Sequence, residues 1–264
     1  MQESSTAAQR CGHFHWLRHE LLTCDDPTSA ESDLLAHADA GAAVAKIWQA
    51  PRSLVIPRSY TRYPRLEQVR QRFAEQGCPV FLRSSGGGLV PQGAGIINLS
   101  LAYPLRQSLG EAAIPVYLHL CDILRAALRS CGVRAHCQAV SGSFCDGRFN
   151  LACGAGDAAR KIAGTAQYWQ PLPPVDDDGP RRHRVLAHAV LLVAVDLPEV
   201  HRWCNDFERL LGSGRVYDAS KTIDMARMRR DEIAPPDLCL RVAQALGRCV
   251  SRRTAPFAEP RPRP

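Results

Sequence analysis

Cys145 stands sixteen residues before Lys161, in a stretch that reads GSFCDGRFNLACGAGDAARKIAGTAQ from Gly142 to Gln167. The thiolate of a cysteine is a nucleophile, and an ammonium fixed nearby favours it over the thiol. The same ammonium stabilises negative charge developing on a carbonyl oxygen. A Cys–Lys pair is therefore a workable acyl-transfer site. A second unusual segment lies upstream, RSSGGGLVPQGAGIINLSLAY, from Arg83 to Tyr103. Its glycines Gly86, Gly87 and Gly88 permit positive φ and let backbone N–H groups approach a ligand closely. Each feature also has an ordinary reading. A free cysteine is most often a small core residue, a glycine triplet a tight turn, and a lone lysine a solvated side chain.

The other reactive residue types carry less. The chain has 11 cysteines, scattered, odd in number and without a C-x-x-C pair. That argues against a disulfide framework and against a zinc site, and no metal is expected. Cys137 and Cys153 flank Cys145 at equal spacing, but neither sits in a motif. His188 lies in an apolar run, Leu186-Ala-His-Ala-Val190, where a satisfied core histidine is the commoner outcome and a general base the sharper one. Gly154-Ala-Gly-Asp-Ala-Ala159 matches a dinucleotide fingerprint only loosely, and no helical pattern follows it.

These residues need elements to hold them. Residues 1–30 read as a lead-in and residues 254–264 as a tail, leaving 31–253 as one catalytic-size domain. An Ala-rich helix is expected over Ser32–Lys46 and a strand over Trp48–Ile56. Leu66, Val69 and Phe73 give helical spacing within Pro64–Gln76. Pro79–Arg83 and Gly95–Ala102 read as strands, and Leu109–Cys131 as the longest amphipathic helix. Two strands, Phe149–Cys153 and Lys161–Tyr168, are joined by a Gly154–Asp157 turn. A polar, Pro-rich loop spans Pro171–Arg184 and a buried strand Val185–Val195. Pro198–Leu211 and Pro236–Arg253 read as helices. Strands predominate up to Val195 with helices flanking them, which predicts an α+β fold with a mixed, mainly antiparallel sheet.

Composition bounds the rest. With 264 residues, 45% of them hydrophobic and 22% charged, the chain has the material for a real core. No run of eighteen apolar residues exists, so no membrane helix is expected. The N-terminal MQESSTAAQRCGHFHW lacks an apolar signal core, which predicts a cytoplasmic protein. The net charge of +7 suits an acidic partner surface, but no nucleic-acid-binding motif accompanies it.

Taken together, the two motif segments resemble the biotin/lipoate protein ligase and octanoyltransferase superfamily. Arg83-Ser-Ser-Gly-Gly-Gly88 resembles its Arg-Arg-x-Gly-Gly-Gly acyl-binding loop, and Arg160-Lys-Ile-Ala-Gly-Thr-Ala-Gln167 its lysine motif. The resemblance runs from about Ala45 to about Val250. It implies the ligase catalytic-domain fold, with Arg83, Ser85, Gly86, Gly87, Gly88, Gly164, Thr165 and Gln167 around an acyl group. It also implies Lys161 on the acyl carbonyl. Gly142-Ser-Phe-Cys-Asp-Gly-Arg-Phe-Asn-Leu151 resembles the segment that carries the nucleophile in octanoyl-[glycine-cleavage H protein] N-octanoyltransferases, and Gly95–Leu101 a second segment of that branch.

Three departures stand out. Ser84 replaces the second arginine, Gln92 replaces a histidine, and Ala189 follows His188 where ligases carry glycine. Gln92, Asn98 and His188 are further candidates for the site. The resemblance implies a transferase that moves an octanoyl or lipoyl group through a Cys145 thioester. It needs no cofactor, takes acyl carrier protein or glycine-cleavage H protein as donor, and uses lipoyl domains of 2-oxoacid dehydrogenases as acceptor. The alternatives are an ATP- and magnesium-dependent lipoate–protein ligase without its accessory domain, and a non-catalytic carrier-binding paralogue.

Overall fold

In Ile96–Leu105 the odd positions are all apolar, while the even ones include Asn98 and Ser100. Side chains alternate across a strand, so one face of this strand is core and the other carries polar groups into the interior. That asymmetry organises the molecule. The computed structural model describes residues 12–17, 21–39, 42–172, 182–229 and 233–257.

The chain starts with two short strands, β1 (His15–Trp16) and β2 (Leu22–Thr23), and helix α1 (Pro27–Asp39). Strands β3 (Val44–Gln49) and β4 (Ser53–Pro57), helix α2 (Leu66–Glu75) and strands β5 (Val80–Arg83), β6 (Val90–Gln92) and β7 (Ile96–Leu105) follow. Next come α3 (Leu109–Ser130), β8 (His136–Cys137), β9 (Leu151–Cys153), β10 (Arg160–Leu172) and β11 (Arg182–Leu192). Helices α4 (Leu197–Leu211), α5 (Met225–Arg229) and α6 (Pro235–Ser251) complete the described chain. The main sheet has the order β1-β3-β7-β11-β10-β9-β8, with β2 also on β3, and a smaller sheet has the order β5-β4-β6. Within the main sheet only β1 and β2 run parallel to their partner. The fold is the α+β, mainly antiparallel arrangement expected.

Residues Ile97, Leu99, Leu101, Tyr103, Val185, Ala187, Ala189 and Leu191 bury one face of the main sheet against α3 and α6. The smaller sheet packs with α2 and α4 in a second core around Phe73, Phe144 and Phe207. Helix α1 covers the opposite face of the main sheet through Leu34 and Ala38, which meet Val44, Ala102 and Leu186.

Several expectations are corrected. The strand expected over Trp48–Ile56 is two strands in two sheets, because Pro51 fixes φ and offers no N–H where the ladder would continue. The helix expected over Ser32–Lys46 begins at Pro27, where Asp26 accepts the Thr28 N–H at 2.7 Å, and ends at Asp39. Val44 onward instead pairs with β7. Within residues 1–30 lie β1, β2 and the first turn of α1. Strand β10 continues to Leu172, and β11 starts at Arg182 rather than Val185, so both ends of the expected Pro171–Arg184 loop are strand. Its centre, 173–181, lies outside the described residues. Thr254 bridges His13, which ties the start of the tail to the start of the chain. Strands β6 and β8 and helix α5 were not expected, being too short for a periodic signal.

Candidate active site

Cys145 sits in the turns between β8 and β9 with φ +48°, in the left-handed region that non-glycine residues rarely enter. The backbone around it is clamped. Lys161 Nζ donates to the carbonyls of Phe144 at 2.6 Å and Cys145 at 2.9 Å. Asn150 Nδ2 donates to the same Cys145 carbonyl at 3.0 Å. The lysine thus acts on the peptide that carries the cysteine, while the sulfur is held from the other side. Gly88 N–H donates to Sγ at 3.3 Å, and Arg83 Nη2 lies 4.0 Å from it.

The glycine loop owes its shape to Arg83 at the end of β5. This buried guanidinium donates to Val55 O at 2.9 Å, Gly86 O at 2.8 Å and Gly88 O at 2.6 Å. Loop and cysteine are in intimate contact. A Cβ on Gly87, whose φ is +100°, would stand 2.7 Å from Cys145 Sγ, and one on Gly88 would stand 3.4 Å from Cys145 Cα. Gly164 is tight for another reason, since its Cβ would meet Lys161 Nζ at 3.1 Å.

A cavity opens beside this thiol, between the two sheets and the start of α1. Val55, Val90, Phe144, Val190 and Leu192 supply apolar wall, and Cys145, Lys161, Arg83, Gly164 and Thr165 line it near the loop. Glu31, Gln92 and His188 also line it. Gln92 and the fully buried Asn98 exchange amide hydrogen bonds of 3.0 and 2.8 Å. Trp48 Nε1 donates to Ser100 Oγ at 3.0 Å, and Ser100 Oγ lies 2.8 Å from His188 Nδ1. Glu31 Oε1 is 3.7 Å from the same ring nitrogen.

Burial governs the charges. It lowers the Lys161 ammonium to a pKa of about 8, opposed by the nearby Cys145 and Asp146. It raises the Glu31 carboxyl to about 7, with Arg83 pulling the other way. It lowers His188 to about 3, helped by Arg83, so the imidazole is neutral.

The remaining expected residues are scattered around the cavity. Thr165 Oγ1 donates to Phe149 O at 2.8 Å, and Phe149 stacks on Tyr117 with ring centroids 4.5 Å apart. Gln167 is turned to α3, donating to Ala113 O at 3.0 Å and accepting from Trp169 Nε1 at 2.7 Å, and does not line the cavity. Ser85 is buried, its hydroxyl without a hydrogen-bond partner among the described residues. Cys137 lies on β8 and Cys153 on β9, both off the cavity.

Sequence reasoning missed Glu31, Trp48, Ser100 and Asn150. Glu31 was hidden by the late helix start. Ser100 was readable, being two residues from Asn98 on one strand face. Also missed was Arg215, whose Nη1 lies 3.9 Å from a Cβ built on Gly88. It donates to Tyr60 Oη, and Tyr60 and Tyr217 each donate to the buried Glu208 carboxylate at 2.6 Å.

The family model described as the lipoyl protein ligase A/B catalytic domain matches residues 26–235. The chain belongs to the lipoyl protein ligase A/B family. It is 52% identical over 237 residues to an uncharacterized protein of Cupriavidus necator, covering 88% of this chain and 93% of that one. It is 41% identical over 147 residues to the octanoyl-GcvH:protein N-octanoyltransferase of Kyrpidia tusciae, a match that spans 55% of this chain and 49% of that enzyme. Among solved structures, a lipoate-protein ligase A bound with ATP superposes with a TM-score of 0.62 at 15% identity, covering 90% of this chain and 84% of that one. That last likeness establishes the lipoyl ligase fold.

Proposed function

We propose that this protein is a cysteine-dependent octanoyl or lipoyl transferase acting on lipoyl-type carrier domains. Membership of the lipoyl protein ligase A/B family makes it an enzyme of the transferase or ligase class. One observation carries the finer reading: the Cys145 sulfur lies against the N–H of Gly88, and Cys145 lines a largely apolar cavity. The name of the Kyrpidia tusciae relative supports glycine-cleavage H protein as a carrier.

In this reading the donor's acyl chain enters the cavity and its carbonyl carbon meets Cys145 Sγ. The C–S bond forms as the donor's C–N or C–S bond breaks, and the thiol proton leaves with the donor's amine or thiol. The N–H of Gly88 and the ammonium of Lys161 stabilise the oxyanion. The acceptor lysine, as a free amine, then attacks the thioester. The C–N bond forms, the C–S bond breaks, and the amine proton returns to the thiolate. Lys161 also fixes the left-handed Cys145 peptide through its two carbonyl bonds.

A ligase reading keeps one observation in its favour. Arg215 places a guanidinium beside Gly88, from a different part of the chain than the missing arginine at Ser84. The cavity is otherwise poorly suited to ATP. Arg83, the arginine of the glycine loop, is spent on three carbonyls.

The test is intact-protein mass spectrometry after incubation with octanoylated glycine-cleavage H protein, wild type beside Cys145→Ala. A hydroxylamine-labile octanoyl adduct on the wild type alone is expected. No adduct, with pyrophosphate released from lipoate and ATP equally by both proteins, would replace the transferase reading with the ligase.

A further inference from the structure

Beyond the thiol, the cavity has a polar stretch of wall that acyl transfer leaves unused. Glu31 is 9% exposed and its carboxyl makes no hydrogen bond among the described residues; its Oε1 lies 3.7 Å from His188 Nδ1. His188 is equally buried. The indole of Trp48 can only donate, so Ser100 Oγ accepts from it and its own hydrogen is free for His188 Nδ1. That closure of the network leaves the proton on Nε2, which has no partner among the described residues. Both groups line the cavity.

Their place along the cavity follows from strand register. Val190 pairs with Gly164, which packs on Lys161 Nζ, and His188 pairs with Ala166. His188 is thus one same-face step, about 7 Å, along β11 from the level of Lys161. An acyl group whose carbonyl lies at Lys161 and whose chain follows β11 reaches the Glu31–His188 level in mid-chain. Plain methylenes there would leave a buried carboxyl and a buried N–H unsatisfied, which is unfavourable. A hydroxyl matches both, accepting from Nε2–H and donating to the carboxylate, or accepting from the protonated acid.

We propose that Glu31 and His188 form a recognition site for a hydroxyl substituent in the middle of the acyl chain, so that the cavity binds a mid-chain-hydroxylated acyl group more tightly than the plain octanoyl chain it also accepts. The inference rests on the acyl-binding reading of the cavity and not on Cys145 chemistry.

The test is calorimetric titration of the full-length protein with octanoic acid and with octanoic acids carrying one hydroxyl at successive mid-chain carbons. One hydroxylated isomer is expected to bind at least tenfold tighter than octanoic acid. Glu31→Leu is expected to erase that preference and Glu31→Gln, which still donates and accepts, to keep most of it. Thermal unfolding of each variant checks that it is folded. Octanoic acid binding as tightly as every hydroxylated isomer overturns the inference and leaves the acyl-binding reading standing, with an ordered water filling the polar stretch. A preference that survives Glu31→Leu and His188→Leu also overturns it. Binding of none of the acids overturns both.

Discussion

At the scale of single residues, the site is a matter of contacts that admit no extra atom. Gly87→Ala puts a methyl 2.7 Å from Cys145 Sγ on a backbone with φ +100°, whereas nothing lies within 4 Å of a Cβ on Gly86. Gly86→Ala is therefore expected to leave thiol reactivity near wild type. Gly87→Ala is expected to lower the rate of acyl adduct formation by tenfold or more, read by mass spectrometry over time. Glu31 sets a second expectation. Its folded pKa of about 7 lies above the ordinary carboxylate value of 4.5. Stability from the protonated acid is thus fully present below pH 4.5 and lost as pH rises through 7. Glu31→Gln carries no charge and should match wild type in acid yet exceed it at pH 7.5 by about 3 kcal/mol at most. His188, with a pKa of about 3, stays neutral throughout that window, while Lys161, at about 8, stays charged over most of it. Denaturant titrations at pH 4.5 and 7.5 measure the difference, and equal stabilities at both would contradict it.

Among elements, the decisive join is between β7 and the end of β11. Gly95 has φ +76°, and a Cβ there would stand 1.8 Å from the Ala194 carbonyl oxygen. Gly95 O accepts the Val193 N–H at 2.9 Å, so the two chain segments cannot part to make room. Gly95→Ala is expected to cost about 3 kcal/mol or more, seen as a lowered denaturant midpoint. The elements were unevenly legible. The long helices α3, α4 and α6 and the central strands β7 and β11 carry enough residues for their period to show. The break at Pro51 and the early start of α1 depend on which sheet each segment joins, and that is a tertiary matter. So Cys145, Lys161 and the glycine loop were legible from local motifs. Glu31 was not, because it enters the cavity only through the way α1 lies across the main sheet. Arg215 was not either, since a loop arginine gives no sign that Tyr60 and Glu208 will hold it beside Gly88.

The whole molecule carries a formal charge of +7. Attraction to an acidic carrier domain speeds encounter and is screened by salt. Association with octanoylated glycine-cleavage H protein, followed by stopped flow, is expected to slow severalfold between about 50 and 500 mM salt. An on-rate that ignores ionic strength would leave the charge without a role in docking. Among the described residues, no helix is long and apolar enough to cross a membrane.

The cavity wall is gathered from Pro27 on α1 at one extreme to Leu192 at the end of β11 at the other, with β3, β4, β6 and β10 between them. Neither sheet encloses the space without the other. The binding site consequently exists only where the two layers are docked: without that there is a thiol on a loop but nowhere to seat a chain. A ligand that occupies the space draws on the cooperativity of the entire fold, holding both layers together by mass action. A fragment that lacks either end of the span from Pro27 to Leu192 lacks part of that wall.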